Sequence, residues 1–394
     1  MPKKQPLTDA RARIKNEMEG YRSLPEYILD SVGAIFNKFS SRSIQPRETF
    51  LPRDASTQEN EGFPSYWLNG AAIAAFTYLI GWSVAMILDQ PFNKLEQALT
   101  IWGAGTGALA LIANKVNIRA FLNTFRESCL DKMLRASDVE NLGKWLKDNF
   151  NIRLPLIAGL LGGPLLGWLL YHTWLVNLRA TGISLEFHWG VFVTVALASI
   201  QSVWVAFYLY PFYVAFPSRL DKYNFDLYTS DPSSSEVVGR LSRLLTYILY
   251  VTIAFIVQLT IGLSYLNVIT TESAGPALIF SVFVWAPTVI LYATGQFHLS
   301  DVIVRAKWKI LNQMQVKIES LYAVKKIPDR DTLEQLEKLM NYHDRIKATP
   351  NSALNFRASL NFLNSLLLPI LAFVAANIPG IVELIQGKAA PPTP

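Results

Sequence analysis

Long apolar stretches alternate with polar segments along the chain, and this pattern predicts helices that cross a membrane. Six of the stretches lie near residues 67–88, 98–114, 155–176, 189–213, 244–266 and 276–298. A helix rises about 1.5 Å per residue, so 22 residues cover roughly 33 Å, enough for a hydrocarbon layer of about 30 Å. A seventh stretch, 360–385, contains Pro369, Asn377 and Pro379, and we expect it to cross fully rather than end as a surface helix.

Two of the polar segments have the periodicity of amphipathic helices. Residues 25–39 carry apolar residues on one face, and residues 118–134 carry a stripe that includes Phe121, Phe125 and Cys129. Such helices either lie in the plane of the lipid headgroups or pack against neighbouring protein helices. The sequence leaves both alternatives open.

Three Ser-x-x-Glu patterns mark predicted helix starts, because the serine can cap the first turn and the glutamate can bond back to the cap. They are Ser23 with Glu26, Ser137 with Glu140, and Ser233 with Glu236. We expect the helix that starts at the third pattern to continue directly into the span at 244–266.

The segment after the sixth span predicts a long helix, because neither proline nor glycine occurs between Gly295 and Pro328. Its apolar stripe, at spacings of three and four residues, comprises Val304, Trp308, Leu311, Met314, Ile318 and Leu321. We expect span six to continue as one helix to about residue 327, and 332–347 to form a second, antiparallel helix. This hairpin would either pack against 217–243 or pair with copies of itself.

These elements predict an all-α fold: a polytopic helical membrane protein with six to seven transmembrane helices, amphipathic helices and a protruding antiparallel helical hairpin. The predicted units are 1–66, 67–114, 115–154, 155–213, 214–243, 244–298, 299–350 and 351–394. The three pairs of consecutive spans form transmembrane hairpins, and the segments between those pairs are predicted to be cytosolic.

Basic residues predict the orientation of the spans. Of the 36 Lys and Arg residues, 33 lie in segments 1–66, 115–153, 217–243 and 299–358. The short loops between these segments hold at most one basic residue each. Positive charge stays on the cytosolic side, so we expect the N-terminus and all four segments to face the cytosol of a bacterial inner membrane or an equivalent membrane.

Composition agrees with a membrane protein. The 394 residues are 51% hydrophobic and 17% charged, whereas a soluble domain has about 25% charged residues. This composition excludes a disordered chain, a disulfide scaffold and an ordinary soluble enzyme. The net charge of +6 follows the topology rather than a basic stripe with stacking aromatics, so no nucleic-acid partner is expected. Cys129 is the single cysteine, which rules out an intrachain disulfide.

Glycines predict close helix packing in two spans. Gly159, Gly163 and Gly167 recur every fourth residue in span three, and Gly103 and Gly107 do so in span two. Side-chain-free positions at this spacing form a ridge that lets another helix approach closely. Packing within the bundle is favoured, and a homo-oligomer contact or a pore wall is the alternative.

Three further residues in the spans are candidates for a pore or for contacts between helices. Gln201 and Gln258 lie near the middle of spans four and five, where an unpaired amide costs several kcal/mol. Each must therefore face protein or water, and a hydrogen bond between helices is favoured over a pore or substrate site. Pro287 lies within span six, where it frees a carbonyl and can kink the helix.

Sequence motifs for enzymatic chemistry are absent from the chain, including phosphate loops, dinucleotide fingerprints, nucleophile elbows and zinc motifs. His172, His188 and Glu186 flank one outer loop, but no ligand spacing supports a metal site. No Asp, Glu, Lys or Arg lies centrally in the six spans, and Glu383 falls near the end of the seventh. Because pumps use such residues as relays, a pump is disfavoured. No cofactor or metal is predicted.

We therefore expect a non-enzymatic membrane protein with a channel-like or gated assembly and a cytosolic helical coupling region. Two alternatives remain open, a transporter of a neutral or apolar substrate and a scaffold subunit that recruits a partner through the cytosolic hairpin. The expected partners are the lipid bilayer and either further copies of the chain or another membrane subunit.

Overall fold

The computed structural model describes residues 5–40, 65–180, 186–220, 222–265, 274–324 and 330–352. Within these ranges the chain is almost entirely helical and contains no β-strand. The helices in chain order are α1 (Gln5–Gly20), α2 (Leu24–Ser40), α3 (Ser65–Ile87), α4 (Lys94–Thr124), α5 (Leu130–Lys132), α6 (Ala136–Asn149), α7 (Arg153–Ala180), α8 (Trp189–Leu209), α9 (Phe216–Leu220), α10 (Glu236–Tyr265), α11 (Ala274–Val324) and α12 (Arg330–Ala348).

Four helical stretches in the described ranges are long and apolar enough to cross a membrane. They are Tyr66–Ile87, Ala136–Val176, Trp189–Leu220 and Glu236–Phe255. They overlap the first, third, fourth and fifth of the six predicted spans. The other two predicted spans lie in α4 and α11, which are not among the four, so the larger span count stays a prediction. The predicted seventh span, 360–385, lies outside the described residues.

The outward faces of these helices are apolar. Leu161 and Leu165 on α7 are 73% and 71% exposed, and Phe76 on α3 is 65% exposed. Water disfavours a contiguous surface of this kind, whereas lipid chains do not. The surface is therefore compatible with membrane association.

Helix boundaries agree with the apolar periodicity in part. The amphipathic helix predicted at 25–39 is confirmed as α2, and the predicted helix at 332–347 is confirmed as α12. The segment predicted to begin a separate helix near residue 118 instead continues α4 through a π-helical turn, Phe125–Cys129. Helix α1 was not predicted, because its sequence is polar on most sides.

The three predicted capping boxes are wrong or incomplete. The Glu26 amide donates to Ser23 Oγ at 3.3 Å, but the Glu26 carboxylate bonds to Arg119 rather than back to the cap. Helix α6 begins at Ala136 without a side-chain cap, so Ser137 lies inside the helix.

The third predicted box, Ser233 with Glu236, also fails. Asp231 caps a short 3-10 turn, Pro232–Ser234, and α10 begins only at Glu236. The Ser235 hydroxyl accepts the Tyr228 amide at 2.7 Å and so holds the preceding loop. The Ser-x-x-Glu pattern alone cannot show that Asp231, in the preceding loop, caps a turn here in place of the serine.

A core of large aromatic rings joins the C-terminal end of α4, helix α6 and the C-terminal end of the apolar stretch Trp189–Leu220. We call it the aromatic core, and it comprises Phe121, Phe125, Trp145, Phe212 and Phe216. The Phe121 ring lies 4.7–4.9 Å from three of its neighbours, the rings of Phe125, Phe212 and Phe216. Buried residues of α1, α6, α10 and α11 complete the cluster.

This core decides between the two placements that the sequence left open for segment 118–134. Its stripe is buried against other helices of the protein, with Phe125 and Cys129 at 0% exposure. The stripe of α6 is buried in the same cluster. Both segments therefore pack on protein rather than presenting these faces to lipid headgroups.

Helix α11 is 51 residues long, and its later part pairs with α12. Leu311 and Met314 on α11 pack against Ile346 on α12, with all three buried. Lys307 is 7% exposed, and its Nζ donates to Thr349 O at 2.7 Å, just beyond the end of α12. We call α12 together with residues 304–324 of α11 the arm.

The base of α11 enters the aromatic core cluster through Leu299, Val302 and Ile303. Helix α11 packs against α9 and α10, and the two predicted alternatives for the hairpin as a whole stay open. Trp308, predicted on the buried stripe, is instead 58% exposed.

Candidate functional site

The glycine ridge of α7 packs against α8. A Cβ atom at Gly163 would lie 2.6 Å from Ile200 Cα, and one at Gly167 would lie 2.7 Å from Ala196 Cα. A Cβ atom at Gly159 would overlap the Trp204 ring. The three glycines thus contact successive turns of one partner helix, which is the intramolecular alternative.

The glycines of α4 differ from each other. A Cβ atom at Gly107 would overlap Gln201 Oε1 and lie 3.2 Å from Ala198 Cα, so this residue admits α8. A Cβ atom at Gly103 would meet nothing within 4 Å. Gly103 is itself buried, but a Cβ atom there would touch no described helix, so its part in the predicted ridge of span two stays a prediction.

A closer approach between glycines, not predicted from the sequence, joins α3 to α8. A Cβ atom at Gly81 would lie 2.7 Å from Gly190 O, and one at Gly190 would lie 2.5 Å from Gly81 O. Each glycine is isolated in its own helix, so no repeat marks it. The two become recognisable only once α3 and α8 are known to be neighbours.

Both candidate amides make hydrogen bonds between helices. Gln201 Nε2 on α8 donates to Thr77 Oγ1 on α3 at 3.1 Å. Gln258 Nε2 on α10 donates to Thr106 Oγ1 on α4, also at 3.1 Å. The carbonyl oxygen of each amide is buried without a hydrogen-bond partner among the described residues. These bonds link four different helices, as the favoured alternative predicts.

The remaining candidates in the spans are less fully described. Pro287 lies within the helical range of α11, but its side chain is outside the described residues. Glu383 also lies outside them.

The two histidines near the predicted outer loop have separate roles. His188 caps α8, and its Nδ1 accepts the Val191 amide at 3.4 Å. Its Nε2 lies 4.0 Å from Glu96 Oε2, and both side chains are buried. His172 instead stacks on Trp168, with ring centres 6.0 Å apart. Among the described residues no group of three His, Cys, Asp or Glu side chains could hold a metal ion.

Glu96 also closes a capping box that the sequence analysis missed. Asn93 Oδ1 accepts the Glu96 amide, and the Asn93 amide donates back to the Glu96 carboxylate, both at 2.9 Å. The pattern Asn-x-x-Glu precedes an apolar run here, and extending the box search from serine to asparagine would have found it.

A buried polar joint connects α2 to α4 and α8. Glu26 is 1% exposed and pairs with Arg119, and Asp30 Oδ1 pairs with Lys115 Nζ at 2.7 Å. At the same end of α2, the Leu24 amide donates to Tyr208 Oη at 2.9 Å. The joint ties the N-terminal helices to the apolar bundle.

Burial raises the pKa of the Glu26 carboxyl, and the charges of Arg119 and Lys115 oppose this rise. Burial therefore disfavours the ionised form of the Glu26 carboxyl more than pairing with Arg119 favours it. Sequence analysis missed the pair because 93 residues separate Glu26 from Arg119. Neither residue lies in a pattern that names the other.

The exposed face of α12 carries an apolar stripe. Leu333 and Met340 line one shallow groove there, and Leu336 lies between them but is buried, at 9% exposure. Leu333 is 51% and Met340 is 47% exposed. Acidic and basic side chains, including Glu337 and Arg330, border the same groove. Leu333 and Met340 are seven residues apart, which is the heptad spacing of a coiled coil, and no described residue outside α12 lines this groove.

Comparison with known proteins assigns no function to these features. No family model, no curated protein and no solved structure matches this chain.

Proposed function

We propose that the protein is a multi-pass membrane protein without enzymatic activity that assembles with further copies of itself through the arm. The apolar stripe of α12, formed by the exposed Leu333 and Met340 with the buried Leu336 between them, is the observation that carries this proposal. Leucine and methionine at this spacing suit packing against a second helix. One basic and three acidic side chains border the stripe, so a second copy can pair its Arg330 with a carboxylate of the first copy.

Single substitutions on α12 test whether the protein assembles through this helix. Met340→Lys places a charge in the stripe, whereas Gln335→Lys adds the same charge at an exposed position outside the groove. We expect mass photometry in detergent to show an oligomer for the parent chain and Gln335→Lys, and a shift to monomer for Met340→Lys. A monomeric parent chain in both detergent and nanodiscs would contradict the proposal.

A channel-like assembly is the second candidate, and the continuity of α11 favours it. This helix runs without a break from the predicted sixth span through the aromatic core cluster into the arm. A rearrangement of the arms would therefore be transmitted to the spans along one continuous helix. Since Gln201 and Gln258 bond between helices, a conducting path would lie between subunits rather than inside the α3–α4–α8 bundle.

Ion flux into liposomes tests this second candidate. We expect flux through reconstituted parent protein and Gln335→Lys, and its loss in Met340→Lys. An assembled protein that gives no flux would leave the assembly role standing and would refute the channel. A substrate-dependent rise in melting temperature would instead support the transporter alternative.

A further inference from the structure

A groove runs between α4 and α10, and its two ends have different chemistry. One end, of about 360 Å³, is walled by apolar side chains that include Ile112, Val116 and Phe255. The other, of about 430 Å³, is lined by polar side chains that include Arg240 and Arg243. Tyr247 lines both volumes, so they adjoin along the contact of α4 with α10.

The basic end has a free cation. Arg240 Nη2 pairs with Glu236 at 2.8 Å, and Arg240 Nη1 lies 3.5 Å from Glu127. Arg243 lines the groove, is exposed and has no ion pair with any described residue. Glu127 and Glu236 both pair with Arg240, so Arg243 is the cation at this end without an ion-pair partner among the described residues, and it suits one phosphodiester anion.

The apolar end has the length of one leaflet. The 11 residues from Tyr247 to Gln258 rise about 16 Å, close to half of a hydrocarbon layer of about 30 Å. Arg243 lies one helical turn in the opposite direction, about 6 Å beyond Tyr247, which matches the depth of a headgroup layer.

Aromatic side chains lie at the junction between the two ends. Tyr66 and Trp67, at the start of α3, join Tyr247 in lining the groove there. Lys115 Nζ lies 5.8 Å from the centre of the Tyr66 ring. Tyrosine and tryptophan concentrate where membrane hydrocarbon meets the headgroups, so the junction corresponds to the glycerol level of a lipid.

We propose that the α4–α10 groove binds one anionic glycerophospholipid, with its phosphate on Arg243 and an acyl chain along the apolar end. This inference rests on the proposed placement of the protein in a bilayer. Charge complementarity at one end and leaflet length at the other select a lipid over a peptide, which would leave its own backbone groups unpaired in the apolar end.

Native mass spectrometry of the detergent-purified chain tests the lipid. The probes are phosphatidylglycerol, phosphatidylcholine with the same acyl chains, and soluble glycerophosphate. We expect one tightly held phosphatidylglycerol per chain, with at least tenfold weaker binding of phosphatidylcholine and no competition by glycerophosphate. Equal binding of the two lipids, or displacement by glycerophosphate, would overturn the proposal.

Variants separate the headgroup contact from general surface charge. Arg243→Gln should weaken phosphatidylglycerol binding about tenfold, because it removes one charge-assisted contact. The matched control Arg153→Gln removes an exposed charge at the start of α7, outside the groove, and should leave binding unchanged. Equal losses in the two variants would overturn the assignment of the phosphate to Arg243.

A third variant tests the acyl chain. Ala254 lines the apolar end and is exposed, so Ala254→Trp fills the groove without disturbing a buried side chain. We expect it to abolish the tightly bound lipid while the protein stays monodisperse, and unaltered lipid binding would overturn the proposal. A chain that stayed dispersed without detergent would instead refute the proposed membrane placement itself.

Discussion

The apolar bundle and the aromatic core hold helices together in opposite ways. Between α7 and α8 the contact is made by residues without side chains, Gly163 and Gly167, against backbone atoms. In the aromatic core it is made by the largest side chains, such as Phe121 and Phe216. The bundle exposes leucines outward, whereas the core buries its rings completely.

The difference follows from the surroundings in which each region is proposed to fold. In lipid, burying a leucine gains little, because lipid chains are as apolar as leucine. Helices there gain from close approach and from bonds such as Gln201 to Thr77. In water, removing aromatic surface stabilises the fold directly, at roughly 25 cal/mol per Å². The following substitutions test this contrast, beginning with the largest expected effect.

Gly163→Leu should disrupt the α7–α8 contact by more than about 5 kcal/mol, because the backbone of Ile200 cannot move aside as a side chain can. The matched control is Gly162→Leu, one residue away, where a Cβ atom would meet nothing within 4 Å. Thermal unfolding in detergent should show a folded control and an unfolded or aggregated Gly163→Leu. Equal stability of the two variants would contradict the claim that Gly163 is needed for the contact of α7 with α8.

Phe121→Ala should lower the free energy of unfolding by about 3–5 kcal/mol, because it leaves a cavity among rings that are fully buried. Leu134→Ala, at a residue that is 45% exposed, is the control and should cost less than about 1 kcal/mol. Chemical denaturation in micelles measures both. A loss for Phe121→Ala no greater than for Leu134→Ala would contradict the proposed role of the core.

Gln201→Leu should lower stability by about 0.6–2 kcal/mol, the range for hydrogen bonds between membrane helices. A double-mutant cycle with Thr77→Val isolates the bond at 3.1 Å. Ser202→Ala is the neighbouring control, because its hydroxyl bonds only to the Ala198 carbonyl of its own helix. A coupling energy of zero between Gln201 and Thr77 would contradict the hydrogen bond between helices and favour a pore-lining position for the Gln201 amide.

The free energy of unfolding should depend on pH through protonation of the Glu26 carboxyl. Its pKa is raised by burial above the ordinary value of 4.5, so the folded state binds more protons than the unfolded state from about pH 4.5 up to the folded pKa. The parent chain should therefore lose stability relative to Glu26→Gln as the pH rises through that window, by at most about 1.4 kcal/mol per pH unit. A relative gain with rising pH would mean that Arg119 outweighs burial.

Local periodicity predicted which residues are buried better than which partners they meet. The stripe through Phe121 and Phe125 follows from a spacing of about four residues, and the core buries it. The Glu26–Arg119 pair and the contact of Gly81 with Gly190 depend on helices that are distant in sequence. Their arrangement comes from tertiary packing, so no window of the sequence contains it.

Competition between local partners explains the failed caps. The Ser-x-x-Glu pattern at Ser233 fits a helix start, but Asp231 binds the Ser233 amide first, at 3.1 Å. The long helix α11 was predictable because no proline or glycine interrupts it after Gly295. The exposure of Trp308 on this helix was not predictable, because burial there depends on where α12 packs.

The side of the membrane on which each segment lies tests the central claim most directly. The chain offers exposed positions for single cysteines after buried Cys129 is replaced by alanine: Glu140, Ser230 and Glu334 in the proposed cytosolic segments, and Glu186 in the opposite loop. Labelling with a membrane-impermeant maleimide is compared in right-side-out and inside-out vesicles.

We predict that Glu186→Cys labels only in right-side-out vesicles, and that the three other cysteines label only in inside-out vesicles. Labelling of Glu140→Cys, Ser230→Cys and Glu334→Cys from opposite faces would contradict the proposed topology. It would also contradict the proposed contrast between a bundle in lipid and an aromatic core on its cytosolic side.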